Sequence, residues 1–199
     1  LGWRNDLLRF ATHPLFIPMT NPILQYSDLI NVPVRDNEER LLEVRPEMVN
    51  IVCEYQKPDM VPYVGNRFFL REGVIDRLRK ASANLYKVCT GYRFKLVYAY
   101  RHPDVQARYF ETRKAEILVL NPELSPEEAR NRAHLLSASP DVAGHPTGGA
   151  IDITIIDERG IEIDMGTKIA DFSEGKKIQT SYPLLTEQQK SNRILLRTA

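Results

Sequence analysis

The sequence predicts a mixed α+β domain, with a small antiparallel sheet flanked by helices. Three features carry that expectation. Apolar residues recur at helical spacing over about 71–88. Two runs rich in β-branched and aromatic residues, 94–100 and 150–156, have the length and composition of strands. Helix-start signals stand at Ser125 and Thr186, so helices and strands are mixed along one chain.

Each element follows from local chemistry. Prolines at Pro14, Pro18, Pro22 and Pro33 predict an extended N-terminal stretch of strands and turns, residues 1–60, wrapping the domain. Asp36-Asn37-Glu38-Glu39-Arg40 reads as a solvated turn. Val74, Leu78, Ala81, Leu85 and Val88 form one apolar stripe on the first long helix. Phe94 to Tyr100 is a strand, stopped by Pro103. A second helix is expected over about Val105–Leu118.

A third helix starts at Ser125, with Pro126 at its first position and Glu128 completing a capping box, and runs to about Leu136. Ser137 to Gly149, with Pro140, Gly144, Pro146, Gly148 and Gly149, is a loop. Ala150 to Ile156 is a strand, Asp157 to Gly160 a turn, and Ile161-Glu162-Ile163 a candidate return strand, so the sheet is expected around the 150–163 hairpin. Thr186-Glu187-Gln188-Gln189 opens a last helix.

Composition narrows the function classes. The 199 residues are 43% hydrophobic, enough for one domain with a real core. Lys and Arg number 27 against 26 Asp and Glu, a net charge of +1, which gives no electrostatic reason to expect nucleic acid or an anionic membrane as partner. The basic cluster Arg77-Leu78-Arg79-Lys80 reads as a solvated helix face. No apolar run is long enough for a membrane span, and Leu1 to Phe10 lack the apolar core of a signal peptide. Cys53 and Cys89 fit no thiolate metal spacing and read as two buried free thiols.

Asp152 is the most informative residue. It stands between Ile151 and Ile153 in an apolar strand, where a carboxylate is costly to bury unless it is paired or bound to a cation. Its same-face neighbours Ala150 and Thr154 are small and leave room beside it. Upstream, His145 is joined to the strand through Gly148 and Gly149, whose flexibility lets imidazole and carboxylate aim at one point. Such a nitrogen–oxygen pair suits zinc. The ordinary alternatives stand beside this reading: His145 as a solvated loop histidine, and Asp152 paired with an arginine. Arg101 closes the first strand just before Pro103, where its planar fork can serve an oxyanion or form a structural salt bridge with an acid.

Together these segments resemble the D-alanyl-D-alanine dipeptidases, the zinc enzymes known from vancomycin resistance. Tyr98-Ala99-Tyr100-Arg101-His102-Pro103 is similar to their DAYRP-type motif, and His145 to Asp152 to their HxxGxAxD metal motif. Asp164-Met165-Gly166-Thr167, Ser191 to Leu196, and Leu70 to Val74 with Arg77-Leu78 match further family segments in the same order, covering about Pro62 to Ala199. The resemblance implies a single peptidase domain over 1–199 with a zinc D,D-peptidase (hedgehog/D,D-peptidase-like) fold. It implies Zn2+ held by His145 and Asp152, and Arg101 polarising the scissile carbonyl. It further implies a small D,D-dipeptide as substrate, peptidoglycan metabolism as setting, and bacterial cytoplasm or periplasm as compartment.

The family's C-terminal ExWWH-type motif, which supplies the catalytic glutamate and a third zinc ligand, is expected beyond Ala199. The other histidines, His13, His102 and His134, read as surface or packing residues. Two further departures concern substrate: Ala143 and Ala170 replace a serine and an acid that family members often carry, with Asp171 the nearest acid. Related readings are a zinc D,D- or L,D-carboxypeptidase acting on larger wall peptides, and a binding homologue without catalysis. Long loops such as 111–149 are expected to be able to cap the pocket, which would favour dipeptides.

Overall fold

A computed structural model describes residues 24–169 and 171–199. The prolines at 14, 18 and 22, His13 and Ala170 lie outside the described residues. The chain runs through α1 (Tyr26–Leu29), β1 (Leu41–Glu43), α2 (Pro46–Val49), β2 (Val52–Cys53), a 3-10 helix (Pro58–Met60), α3 (Val61–Val64), β3 (Phe69–Arg71) and α4 (Glu72–Val88). It continues with β4 (Arg93–Tyr98), α5 (Pro103–Leu120), α6 (Pro126–His134), a 3-10 turn (His145–Thr147), β5 (Asp152–Ile156), a 3-10 segment (Phe172–Ile178) and α7 (Glu187–Thr198).

The α+β expectation is met: small sheets flanked by helices. The sheet differs in detail from the expected one. Its centre is β4, paired antiparallel with β5 on one side and parallel with β2 on the other. The parallel pair arises because the long connection through β3 and α4 returns the chain in its original direction. β1 and β3 form a separate antiparallel pair, Leu42 opposite Leu70.

The predicted return strand at Ile161–Ile163 is reduced to a single bridge between Ile156 and Glu162. The Asp157 carboxylate captures the N–H groups of Arg159 and Ile161, each at 2.9 Å, and Ile161 is exposed, so the backbone bonds from Asp157 N–H to the Ile161 carbonyl and from Ile163 N–H to the Ile155 carbonyl do not extend into a full strand.

Phe94 and Leu96 of β4 and Ile155 of β5 are buried with Leu70, Leu78 and Leu85 in one core cluster. The stripe on α4 is rotated from the expected one: Ile75, Leu78, Ser82 and Leu85 are buried, while Val88 is exposed. Arg77, Arg79 and Lys80 lie on its exposed face. α6 and α7 each start with a complete capping box, at Ser125 and Thr186. Cys53 and Cys89 form no disulfide and are half-buried rather than buried, and burial pushes the Cys53 thiol up to about 11. Among the described residues no helix is long and apolar enough to cross a membrane.

Candidate metal centre

The end of β4 and the start of β5 build the site. β4 breaks register between Leu96, opposite Ile153, and Tyr98, opposite Asp152. The strand ends there, two residues before the predicted end, and Tyr100 N–H turns to the Phe69 carbonyl at 2.9 Å. His102 then caps α5, accepting from Asp104 N–H at 3.2 Å, with Pro103 at the first helical position. Arg101 is thus fixed at a strand-to-helix junction.

His145 begins the 3-10 turn in the predicted loop. Thr147 Oγ donates to the Gly144 carbonyl at 2.7 Å and accepts from Gly149 N–H at 3.1 Å. Gly148 has φ +73°, and a Cβ there would sit 2.5 Å from Leu41 Cδ1. Its carbonyl accepts from Arg71 N–H at 3.0 Å, while Arg71 Nε donates to the Thr147 carbonyl at 2.8 Å. The end of β3 therefore clamps the loop that carries His145.

These elements bring Arg101, His145 and Asp152 together. His145 Nδ1 lies 2.8 Å from the Ala99 carbonyl. A carbonyl only accepts, so Nδ1 carries the proton, and in the neutral ring Nε2 presents a bare lone pair. Nε2 is 3.4 Å from Asp152 Oδ1. Two lone pairs facing each other at that distance suit a shared cation or an imidazolium. The spacing fits zinc, since two ligands each about 2.1 Å from a tetrahedral ion lie roughly 3.4 Å apart. Among the described residues no group of three or more His, Cys, Asp or Glu side chains is arranged to hold a metal, and His145 and Asp152 stand as a facing pair.

The salt-bridge alternative for Arg101 is also present, and its partner is Asp152: Nη2 donates to Asp152 Oδ2 at 3.2 Å. Each oxygen of Asp152 thus faces a different group. Burial works to raise the Asp152 pKa, but His145 and Arg101 outweigh it and hold the carboxyl below its ordinary value.

Several residues around Arg101 were not anticipated. Nη1 donates at 2.9 Å to Gln106 Oε1, and the buried Gln106 donates in turn to the Ala138 carbonyl at 2.7 Å. The guanidinium carbon lies 4.3 Å from the ring centre of Tyr98 and 5.2 Å from that of Tyr109. Both tyrosine hydroxyls donate to Asp59. Burial, followed by the Asp59 hydrogen bond, pushes the Tyr98 hydroxyl pKa up. Gln106 shares the buried side of α5 with Val105 and Phe110. Asp59 carries no local signal.

Tyr98, Arg101, Gln106, Tyr109, His145 and Asp152 line a cleft of about 1210 Å³. Thr112, Glu116 and residues 136–138 reach its wall, as does Asp171, whose Oδ1 is occupied by Ser173 N–H and Oγ. Ala143 is buried. The Asp164–Thr167 and Ser191–Leu196 segments are bound to each other: Asn192 Nδ2 donates to the Asp164 carbonyl at 2.7 Å, and Arg193 Nε to the Met165 carbonyl at 2.7 Å. Arg193 also donates to the carbonyls of Lys177 and Gln179, so this buried guanidinium organises the wall rather than the reaction. His102 stacks on Tyr63 with ring centres 3.9 Å apart, and His134 is buried against Tyr26.

Residues 56–199 match the Peptidase_M15 family, described as D-ala-D-ala dipeptidase. The chain is 29% identical over 160 residues to a D-alanyl-D-alanine dipeptidase of Synechocystis sp. (strain ATCC 27184 / PCC 6803 / Kazusa), across 71% of this chain and 63% of that one. The chain therefore spans less than two thirds of that relative's length. Among solved structures it is similar to a vancomycin-resistance D,D-pentapeptidase, VanY, in complex with Zn(II), at 17% identity and a TM-score of 0.35 over 55% of each chain.

Proposed function

The chain belongs to the M15 peptidase family of D-Ala-D-Ala dipeptidases, and on that premise we propose that the protein hydrolyses D-alanyl-D-alanine or a related D-amino-acid dipeptide with zinc, in peptidoglycan metabolism. The observation that carries the reading is the facing pair His145 Nε2 and Asp152 Oδ1, with the opposite ring nitrogen anchored on Ala99.

His145 and Asp152 would hold the zinc ion. Bound there, zinc would supply Lewis acidity for amide hydrolysis. The Ala99 carbonyl fixes the ring orientation and keeps Nε2 free as a donor. Asp152 stays ionised because Arg101 and His145 favour its charged form. Arg101 keeps donor capacity beyond its bonds to Gln106 and Asp152, and its fork lines the cleft, suited to the oxygen that becomes negative as the amide carbon turns tetrahedral. The glutamate and histidine that family resemblance implies would act as general base and third ligand.

The test uses full-length protein. Zinc content near one ion per chain and hydrolysis of D-Ala-D-Ala but not L-Ala-L-Ala are expected. A protein that binds no zinc overturns the reading.

The cleft favours a second reading. Its volume of about 1210 Å³ exceeds the roughly 300–1,000 Å³ usual for small-ligand pockets. A D,D- or L,D-carboxypeptidase acting on longer wall peptides would use that space. Comparing kcat/KM on the dipeptide and on a pentapeptide separates the two.

A further inference from the structure

We infer that Asp59 is a positioning residue for Arg101, acting through the two tyrosines that it joins, Tyr98 and Tyr109. This rests on the reading of Arg101 as the group that meets the developing oxyanion.

An arginine side chain is long, and its fork contributes to a transition state only if it is held in place beforehand. Within its plane the guanidinium has one bond from Nη1 to Gln106 and one from Nη2 to Asp152. Its buried Nε has no hydrogen-bond partner. Two bonds at one end leave the plane free to tilt. The aromatic faces restrict that tilt: Tyr98 and Tyr109 meet edge to face, 6.5 Å apart at 73°, and both lie against the guanidinium.

Asp59 fixes these rings. Tyr98 Oη donates to its Oδ1 and Tyr109 Oη to its Oδ2, and the two hydroxyls are 3.2 Å apart. One carboxylate thus sets the spacing of both rings. Among the described residues Asp59 makes no ion pair with Arg101, so its influence passes through the rings. The next residue adds a second link: the fully buried Met60 accepts through sulfur from His102 N–H at 3.3 Å, directly after Arg101 in the chain. The 3-10 helix at Pro58–Met60 therefore holds the platform under the guanidinium and the backbone beside it.

Asp59→Asn removes the charge and replaces one acceptor oxygen with a donor, so only one tyrosine can still donate to residue 59 and the other hydroxyl must turn round to accept. Tyr109→Phe removes a single hydroxyl and serves if the asparagine variant folds poorly. In full-length protein each variant is expected to lower kcat on D-Ala-D-Ala by roughly tenfold or more, with KM and zinc affinity within about threefold of wild type. In an Arg101→Lys background the same substitution should cost much less, because its effect runs through the guanidinium.

A second readout needs no turnover. The Arg101 Nε–H signal in a 15N–1H correlation spectrum, assigned by its loss in Arg101→Lys, should shift or broaden in both variants. If the wild-type protein cleaves no D,D-peptide, the functional reading fails while this signal still reports on positioning. An unchanged signal, an unchanged kcat, or an equal cost in both backgrounds overturns the inference.

Discussion

The backbone N–H of Arg101 donates to the carbonyl of His145 at 3.2 Å. This bond joins the strand-to-helix junction after β4 to the turn that precedes β5. The Ala99 carbonyl, two residues before Arg101, accepts from the His145 ring, so backbone and side chain of His145 are both read by one short segment. The side chains proposed as metal ligand and oxyanion donor are both tied to residues 99–101, which keeps their relative placement without relying on loop rigidity.

His145→Ala should abolish activity and weaken zinc binding, because Asp152 alone is a poor site. Replacing the ring also releases the Ala99 carbonyl. The check is zinc affinity by competition with a chromogenic chelator, beside activity at saturating zinc. Retained stoichiometric zinc with wild-type affinity would show that His145 is no ligand.

Arg101→Ala should keep zinc but lose about 2.7–4 kcal/mol of transition-state stabilisation, read as a fall in kcat of roughly 10²–10³. It also strands the buried Gln106 oxygen, at a cost to folding of about 1–3 kcal/mol. Kinetics must therefore be measured below the variant's unfolding range. Full activity would leave Arg101 with a structural role only.

The legible parts of the fold were those with local signals. The capping boxes at Ser125 and Thr186 and the strands around Phe94 and Ile155 depend on residues a few positions apart. The parallel pairing of β2 could not be read, because Val52 and Cys53 are too few to show a pattern and owe their place to Lys95 and Leu96. At the site, Asp152 stood out because a carboxylate between isoleucines is costly. Asp59, Tyr109 and Arg71 did not, since each acts on partners that only the fold brings near.

Gly148→Ala should destabilise the loop that carries His145 by about 1–2 kcal/mol from its left-handed backbone alone, before the clash with Leu41 is added. Leu41→Ala removes the steric part and leaves the backbone part, so the double variant should recover only partly. Urea midpoints for the three variants check this. Full rescue by Leu41→Ala would show that the backbone at Gly148 is unstrained.

His134 should make the fold acid-sensitive. Burial lowers its pKa, although Asp141 pulls the other way, and its Nδ1 accepts from Ser139 N–H at 3.2 Å. The folded state therefore prefers the neutral ring. Its contribution is complete above the unfolded value near 6.5 and is lost as pH falls from there through the depressed folded value. A comparison of urea midpoints at pH 7.5 and pH 5.5 should show a larger drop for wild type than for His134→Gln, whose side chain cannot charge. Equal drops would place the acid sensitivity elsewhere.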